Sequence, residues 1–170
     1  MLRRTFTLVG ALALVLLAFG VVFVLGMRTK SPLVQNAVRR ANRDFFNPRQ
    51  MGSAGTPGAY ASVIRHRGRT SGRPYETPVG AEPTDDGFVI ALPYGPHTDW
   101  VENVLASRSA TIVDEGHTYL VGQPEIIAME AAATHFPTKD QRSLRLFGVD
   151  QCLRVRRVEP EAPELLPEAP

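Results

Sequence analysis

The residues best suited to chemistry lie in one stretch, 64–79, IRHRGRTSGRPYETPV. Five of its first ten residues are basic (Arg65, His66, Arg67, Arg69, Arg73), yet Gly68, Gly72 and Pro74 interrupt them. A basic helix does not carry two glycines and a proline, so the stretch reads as a loop suited to something negative. The glycines permit conformations in which successive backbone N–H groups converge on an anion. Arg69 and Arg73 add charge-assisted bonds, and the hydroxyls of Thr70 and Ser71 can donate to phosphate oxygens. A basic hairpin turn with solvated arginines fits the same composition equally well. A nucleic-acid surface fits less well, because no aromatic residues alternate with the arginines.

A second cluster is PYGPHTDWVENVLAS, residues 93–107. Thr98 or Asp99 is placed to cap a helix there, and Asn103 stands one turn below Asp99. Trp100, the only tryptophan, reads as a core residue packing that helix on a sheet. A helix N-terminus beside the basic loop would strengthen an anion site. Other chemistries find little support. His66, His97, His117 and His135 are scattered without metal-ligand spacing. No G-x-S-x-G elbow surrounds Ser71, and neither phosphate-loop nor dinucleotide glycine motif occurs. Cys152 alternates with Leu153, Arg154, Val155 and Arg156, the pattern of a buried strand thiol. As the single cysteine it fits a reducing compartment.

The elements that must position these residues follow from periodicity. YASVIRH and GFVIAL are strands by β-branched content, YETPVG is extended, and TDDG is a turn. WVENVLAS is helical, RSATIV and HTYLVG form a hairpin around DEG, PEIIAMEAAATHF is helical, and QCLRVRRV is a last strand. Hairpin-rich β-β-β-α-β-β-α-β order predicts an α+β domain, an antiparallel barrel with packed helices, rather than a doubly wound parallel sheet.

Outside that domain, residues 5–27 carry no charge, the length of a transmembrane helix. No A-x-A-like site follows before Arg28, which favours a retained anchor over a cleaved signal. Arg28, Lys30, Arg39, Arg40 and Arg43 follow it, against Arg3 and Arg4 before it, placing the C-terminal domain on the cytoplasmic side. The chain divides into an anchor (1–30), a helix and linker (31–57), the barrel (58–158) and an acidic tail (159–170). Ser31 and Pro32 open the second helix, which should stop before Pro48. The net charge is +2, but the tail holds four of the 17 acidic residues, leaving 13 against 19 basic ones. Its Pro/Glu/Ala composition reads as disordered.

The order and spacing of RTSGRPYETPVG, DDGFVIALPYG and DWVENVLA resemble the deazaflavin-dependent nitroreductases, also called coenzyme F420-dependent quinone reductases. The resemblance covers about residues 58–158. It implies a split β-barrel like the flavin-binding pyridoxamine-phosphate oxidases, with F420 as cofactor and FMN as the alternative. It implies that Arg69, Thr70 and Ser71 hold the phosphate end, and the anion-nest reading of the loop adds Gly72 and Arg73 to the cofactor site. Tyr75, Glu76, Thr77, Pro78, Val79 and Gly80 would run beside the deazaflavin. Ala91, Leu92, Pro93 and Tyr94 would line the pocket, and Asp99, Trp100, Val101 and Asn103 would close it. Two departures stand out: Thr70 and Tyr75 occupy positions that are often basic in such proteins. Tyr119 is the last tyrosine, so the late tyrosines that some members place over the substrate have no counterpart.

These readings together lead us to expect a membrane-anchored oxidoreductase passing a hydride from reduced F420 to a lipophilic acceptor, a quinone or nitro compound. The alternatives are an FMN enzyme on the same barrel and a tethered module that binds F420 or another anionic ligand without turnover. Lipids would be partners of the N-terminal helix, nucleic acid would not be one, and homodimerisation is expected by fold analogy alone.

Overall fold

The computed structural model describes residues 2–158, the side chains of residues 2–9 and 11 excepted. The acidic tail, 159–170, lies outside the described residues. Two helices come first, α1 (Leu2–Arg28) and α2 (Pro32–Ala41). A π-helical turn over Asn42–Phe46 follows α2, and a last α-turn, α3 (Asn47–Gln50), completes the helix. The helix therefore runs through Pro48 instead of stopping before it. A proline inside a regular helix clashes with the carbonyl four residues earlier, and the wider π turn just upstream relieves that contact.

Seven antiparallel strands form one sheet: β1 (Ser62–Arg67), β2 (Pro74–Val79), β3 (Ala81–Pro83), β4 (Gly87–Ala91), β5 (Ser109–Asp114), β6 (His117–Ala128) and β7 (Gln151–Arg157). Their order is β2-β1-β5-β6-β7-β4-β3. The two outermost strands, β2 and β3, are consecutive in the chain and separated only by Gly80. One bent ribbon thus belongs to both edges, and the sheet must curl into a barrel-like half-shell to allow it. Register at the β4–β7 seam is enforced by Gly87, where any Cβ would stand 2.0 Å from the Val155 carbonyl oxygen.

Strand β4 is buried on both faces, which explains its unbroken apolar run. Phe88 and Ile90 point into the barrel with Ile64, Ile112, Val121, Leu153 and Val155. Val89 points outward and packs with Met129, Ala132, Phe136 and Cys152. Helix α4 (Asp99–Ser107) inserts Val101 and Val104 into the barrel core, and α5 (Met129–Ala132) covers the outer cluster. Cys152 is fully buried, its thiol donates to Met129 Sδ at 3.1 Å, and burial pushes its pKa up to about 11.

Two expectations are corrected. Residues 124–128, anticipated as helix, extend β6, because Ile126 and Ile127 pair with Leu153 and Cys152 across a bulge between Gly122 and Glu125. Their β-branched side chains suit that pleated surface, and the helix is confined to α5 and a short 3₁₀ turn, Ala133–His135. Helix α6 (Thr138–Leu146) was not anticipated: it is polar and buries no residue fully, so its hydrophobic signal is weak.

Helix α1 exposes Leu14, Phe19 and Val22 among many apolar side chains. Among the described side chains, those of its last turns meet the domain. Met27 is buried, Phe23 packs edge-on against Phe147 at 6.0 Å, and Arg28 donates to the carbonyls of Arg145 and Leu146. Lys30 pairs with Asp150 at 2.7 Å. Among the described residues no single helix is long and apolar enough to cross a membrane; Leu12–Arg28 and Pro32–Gln50 pass that test only as a pair, bent by 104°.

Candidate functional site

A cleft of about 980 Å³ lies between the barrel and the α2–α3 helix. Its barrel side is built by the 68–71 loop, β2 and the start of α4, including Arg69, Thr70, Ser71, Tyr75, Glu76, Thr77 and Pro78. Tyr94, Asp99, Trp100 and Asn103 complete that side. These residues, separated by up to 34 positions, are brought together because β1 and β2 pair in register and α4 packs on β1. Other residues anticipated at the site stand elsewhere. Val79, Leu92 and Val101 are core side chains of the barrel, and Ala91 packs on the outer cluster. Gly72, Arg73, Gly80 and Pro93 do not line the cleft.

The basic loop is a tight turn whose donors are largely consumed within the protein. Gly68 N–H bonds the Arg73 carbonyl and Gly72 N–H bonds the Gly68 carbonyl, at 2.9 and 2.8 Å. Gly72 takes the positive φ of 65° that this closure needs. Arg73 N–H reaches Ser71 Oγ at 3.3 Å, and Arg69 N–H donates to Asn103 Oδ1 at 3.0 Å. The convergent anion nest anticipated for this loop is therefore mostly satisfied from inside. Three of its arginine side chains are engaged too, Arg67 through a 3.3 Å bond to the Gly72 carbonyl. Arg65 pairs across the ladder with Glu76 at 2.8 Å. Arg69 pairs with Asp99 at 3.1 Å and Glu102 at 2.8 Å, and donates a third bond to Asn103 Oδ1 at 3.0 Å.

Behind the loop runs a buried chain of polar groups. Because Asn103 Oδ1 accepts from Arg69, its Nδ2 is the donor toward His66 Nδ1, 3.3 Å away. His66 Nδ1 is then the acceptor, and Nε2–H donates to Thr77 Oγ1 at 3.2 Å. Desolvation lowers the His66 pKa below its ordinary value, consistent with this neutral tautomer. Tyr75 stacks on the imidazole, with ring centroids 5.9 Å apart and planes inclined by 20°. Thr98 is the N-cap residue of α4, but its hydroxyl makes no cap bond and is buried without a partner.

Sequence reasoning missed the second side of the cleft. Asn36, Arg39, Arg40, Asn42, Arg43 and Asn47 face it from α2, the π turn and α3. Arg39 Nη2 donates to the Tyr94 carbonyl at 2.9 Å, and Asn42 Nδ2 bonds the Tyr94 hydroxyl. Burial raises the Tyr94 pKa, so the phenol stays protonated at neutral pH. The one signal for this wall was the recurrence of Asn and Arg along 36–47, which reads equally well as a solvated helix face. His66 and His97 were passed over because no metal spacing surrounds them; His97 sits 3.5 Å from Glu102. Among the described residues no group of three or more metal-ligating side chains is found. The cleft is cationic: four lining arginines face two carboxylates, Glu76 and Asp99.

No family model and no curated protein matches the chain. Among solved structures, an F420-H2 dependent reductase (FDR-A) is similar at 12% identity over 55% of this chain and 92% of its own, with a TM-score of 0.42. An F420 reductase is similar at 10% identity over 64% and 92%, TM-score 0.44. A Clostridium acetobutylicum protein related to general stress protein 26 of B. subtilis, of the pyridoxinephosphate oxidase family, is similar at 13% identity over 65% and 80%, TM-score 0.44. Likenesses of this strength fix neither the family nor the ligand of this chain, and the chemistry of the cleft has to be argued from its own residues.

Proposed function

We propose that this chain is an oxidoreductase that holds a deazaflavin cofactor of the F420 type in the cleft and passes its hydride to a lipophilic acceptor, a quinone or nitro compound. The observation that carries the reading is the cleft itself. Its volume suits a cofactor-sized ligand, its four arginines suit an acidic one, and Tyr75, Pro78 and Trp100 offer apolar surface for a ring system. The lining residues also pass a test of fit. Two buried polar atoms without partners, Arg39 Nε and Thr98 Oγ1, belong to residues of this cleft, where a polar ligand would relieve them.

Within this reading, Tyr75, Thr77 and Pro78 on β2 would lie along the ring system. Strand β2 is an edge strand, paired only with β1, so its outer N–H and C=O groups are free to meet ring heteroatoms. The stack of Tyr75 on His66 and the His66–Thr77 bond keep that wall flat. Thr70 and Ser71 present hydroxyls at the loop end. When bound, the cofactor supplies a hydride equivalent, and the protein's part is binding, orientation and exclusion of water. The exposed apolar side chains of α1 suit a membrane anchor completed by the bent pair of N-terminal helices. The Lys and Arg residues after residue 27 favour a cytoplasmic barrel, an arrangement that would bring the cleft beside membrane-dissolved acceptors.

Fluorescence titration of the full chain in detergent, with F420 and then FMN, tests the reading. Preferential F420 binding, followed by quinone- or nitro-dependent oxidation of the reduced cofactor, is the expected result. Preference for FMN would replace the cofactor on the same barrel. F420 binding without turnover to any acceptor would make the chain a tethered binding module.

A further inference from the structure

The arginine that the sequence singles out is not the one best placed to receive an anion. Arg69 is already held by Asp99, Glu102 and Asn103 Oδ1. The Asp99 carboxylate is 90% exposed beside it, so an incoming phosphate would meet negative charge before reaching the guanidinium. Across the cleft the situation is reversed. Arg40 lines the same space, is exposed, and has no ion pair or side-chain hydrogen bond among the described residues. Arg39, one position earlier, spends Nη2 on the Tyr94 carbonyl and leaves Nε buried without an acceptor.

A buried guanidinium N–H without a partner carries a desolvation penalty that an anionic acceptor removes. We propose that α2 binds the anionic end of the ligand, a phosphate or phosphodiester group, through Arg39 and Arg40. Arg69 is instead a clasp that fixes the floor of the cleft by joining the 68–71 loop to α4. This assignment rests on the cleft being the ligand site, and it deepens the cofactor reading by moving its charged end from the barrel to the helix that leads back to α1. Tyr94, which accepts from Arg39 and bonds Asn42, is the joint between that helix and the barrel.

The test uses the full chain in detergent and two probes, F420 and inorganic pyrophosphate, with binding measured by calorimetry. Arg40→Ala removes an exposed side chain and leaves folding intact, which circular dichroism checks. Arg39→Lys keeps the charge but deletes the Nε donor. Both variants are expected to weaken both probes about tenfold or more, the loss of one charge-assisted bond. If wild type and both variants bind F420 equally, the α2 assignment is wrong while the cofactor reading stands. Pyrophosphate binding that depends on Arg40, with no F420 binding, keeps the α2 site and ends the F420 reading. Binding of neither probe to wild type overturns both.

Discussion

The two walls of the cleft are built by opposite means. The barrel wall is determined by depth: β1 carries Ile64 into the core and His66 into the polar chain, and Asn103 and Arg69 are locked to one another. The helical wall carries exposed arginines, one buried donor without a partner, and a joint through Tyr94. Rigidity suits the side along which a ring system must be oriented, because misplacement of a reacting centre by an ångström is costly. Unspent charge suits the side that must receive an anion. Arg65 and Arg69, conspicuous in the sequence, turn out to be paired with carboxylates, while Arg40 has no such partner among the described residues and Arg39 keeps one donor unpaired.

This contrast can be broken from the barrel side first. Ile64→Ala removes a fully buried side chain from β1 and should cost about 2–5 kcal/mol in denaturant unfolding, with the cleft lost along with the fold. A loss below 1 kcal/mol would mean that the barrel wall is not organised by its core. Next in size, Asn103→Ala should cost about 1–3 kcal/mol, because it strands the Arg69 N–H and His66 Nδ1 together. Rotation of the loop, read from limited proteolysis between Gly68 and Arg73, should accompany it; an unchanged loop would refute the clasp.

Tyr94→Phe sharpens the comparison from the helical side. It deletes the bond to Asn42 while keeping the carbonyl that Arg39 uses, for about 0.5–1.5 kcal/mol. Hydrogen exchange should rise in α2 and not in β1, and a uniform rise would show that the walls are not independent. The smallest effect is on pH dependence. His66 has a lowered pKa in the folded protein, so the unfolded chain binds the proton more readily. Stability should therefore be steady above the ordinary histidine value of about 6.5 and fall as the pH drops below it, levelling only beneath the folded pKa. Unfolding of His66→Gln should lack that component below about pH 6.5, and an identical slope would place the titrating group elsewhere.

Much of the barrel was legible because its signals are local. The strands GFVIA and SATIV, the helix DWVENVLAS and the last strand with its buried Cys152 all carry local signals. Polar α6 was not, since it buries no residue fully and has no apolar stripe to mark it, and the strand extension at Ile126–Ile127 was not, since its pairing with β7 is non-local. The barrel side of the cleft was named residue by residue from a motif resemblance, but with Val79, Leu92 and Val101 included, whose side chains point into the core. A linear motif does not say which face of a strand or helix its members occupy until pairing and packing choose one.

The sequence by itself determined an uncharged N-terminal stretch, an antiparallel α+β domain and a loop crowded with cations, because composition and periodicity are properties of neighbours along the chain. Only the tertiary structure decided which cations remain available. Whether an arginine is free depends on carboxylates and carbonyls distant in sequence: Asp99 and Glu102 reach Arg69 across 30 and 33 positions, and Tyr94 reaches Arg39 across 55. Pairing of charge is set by distance in space, and no local pattern records it.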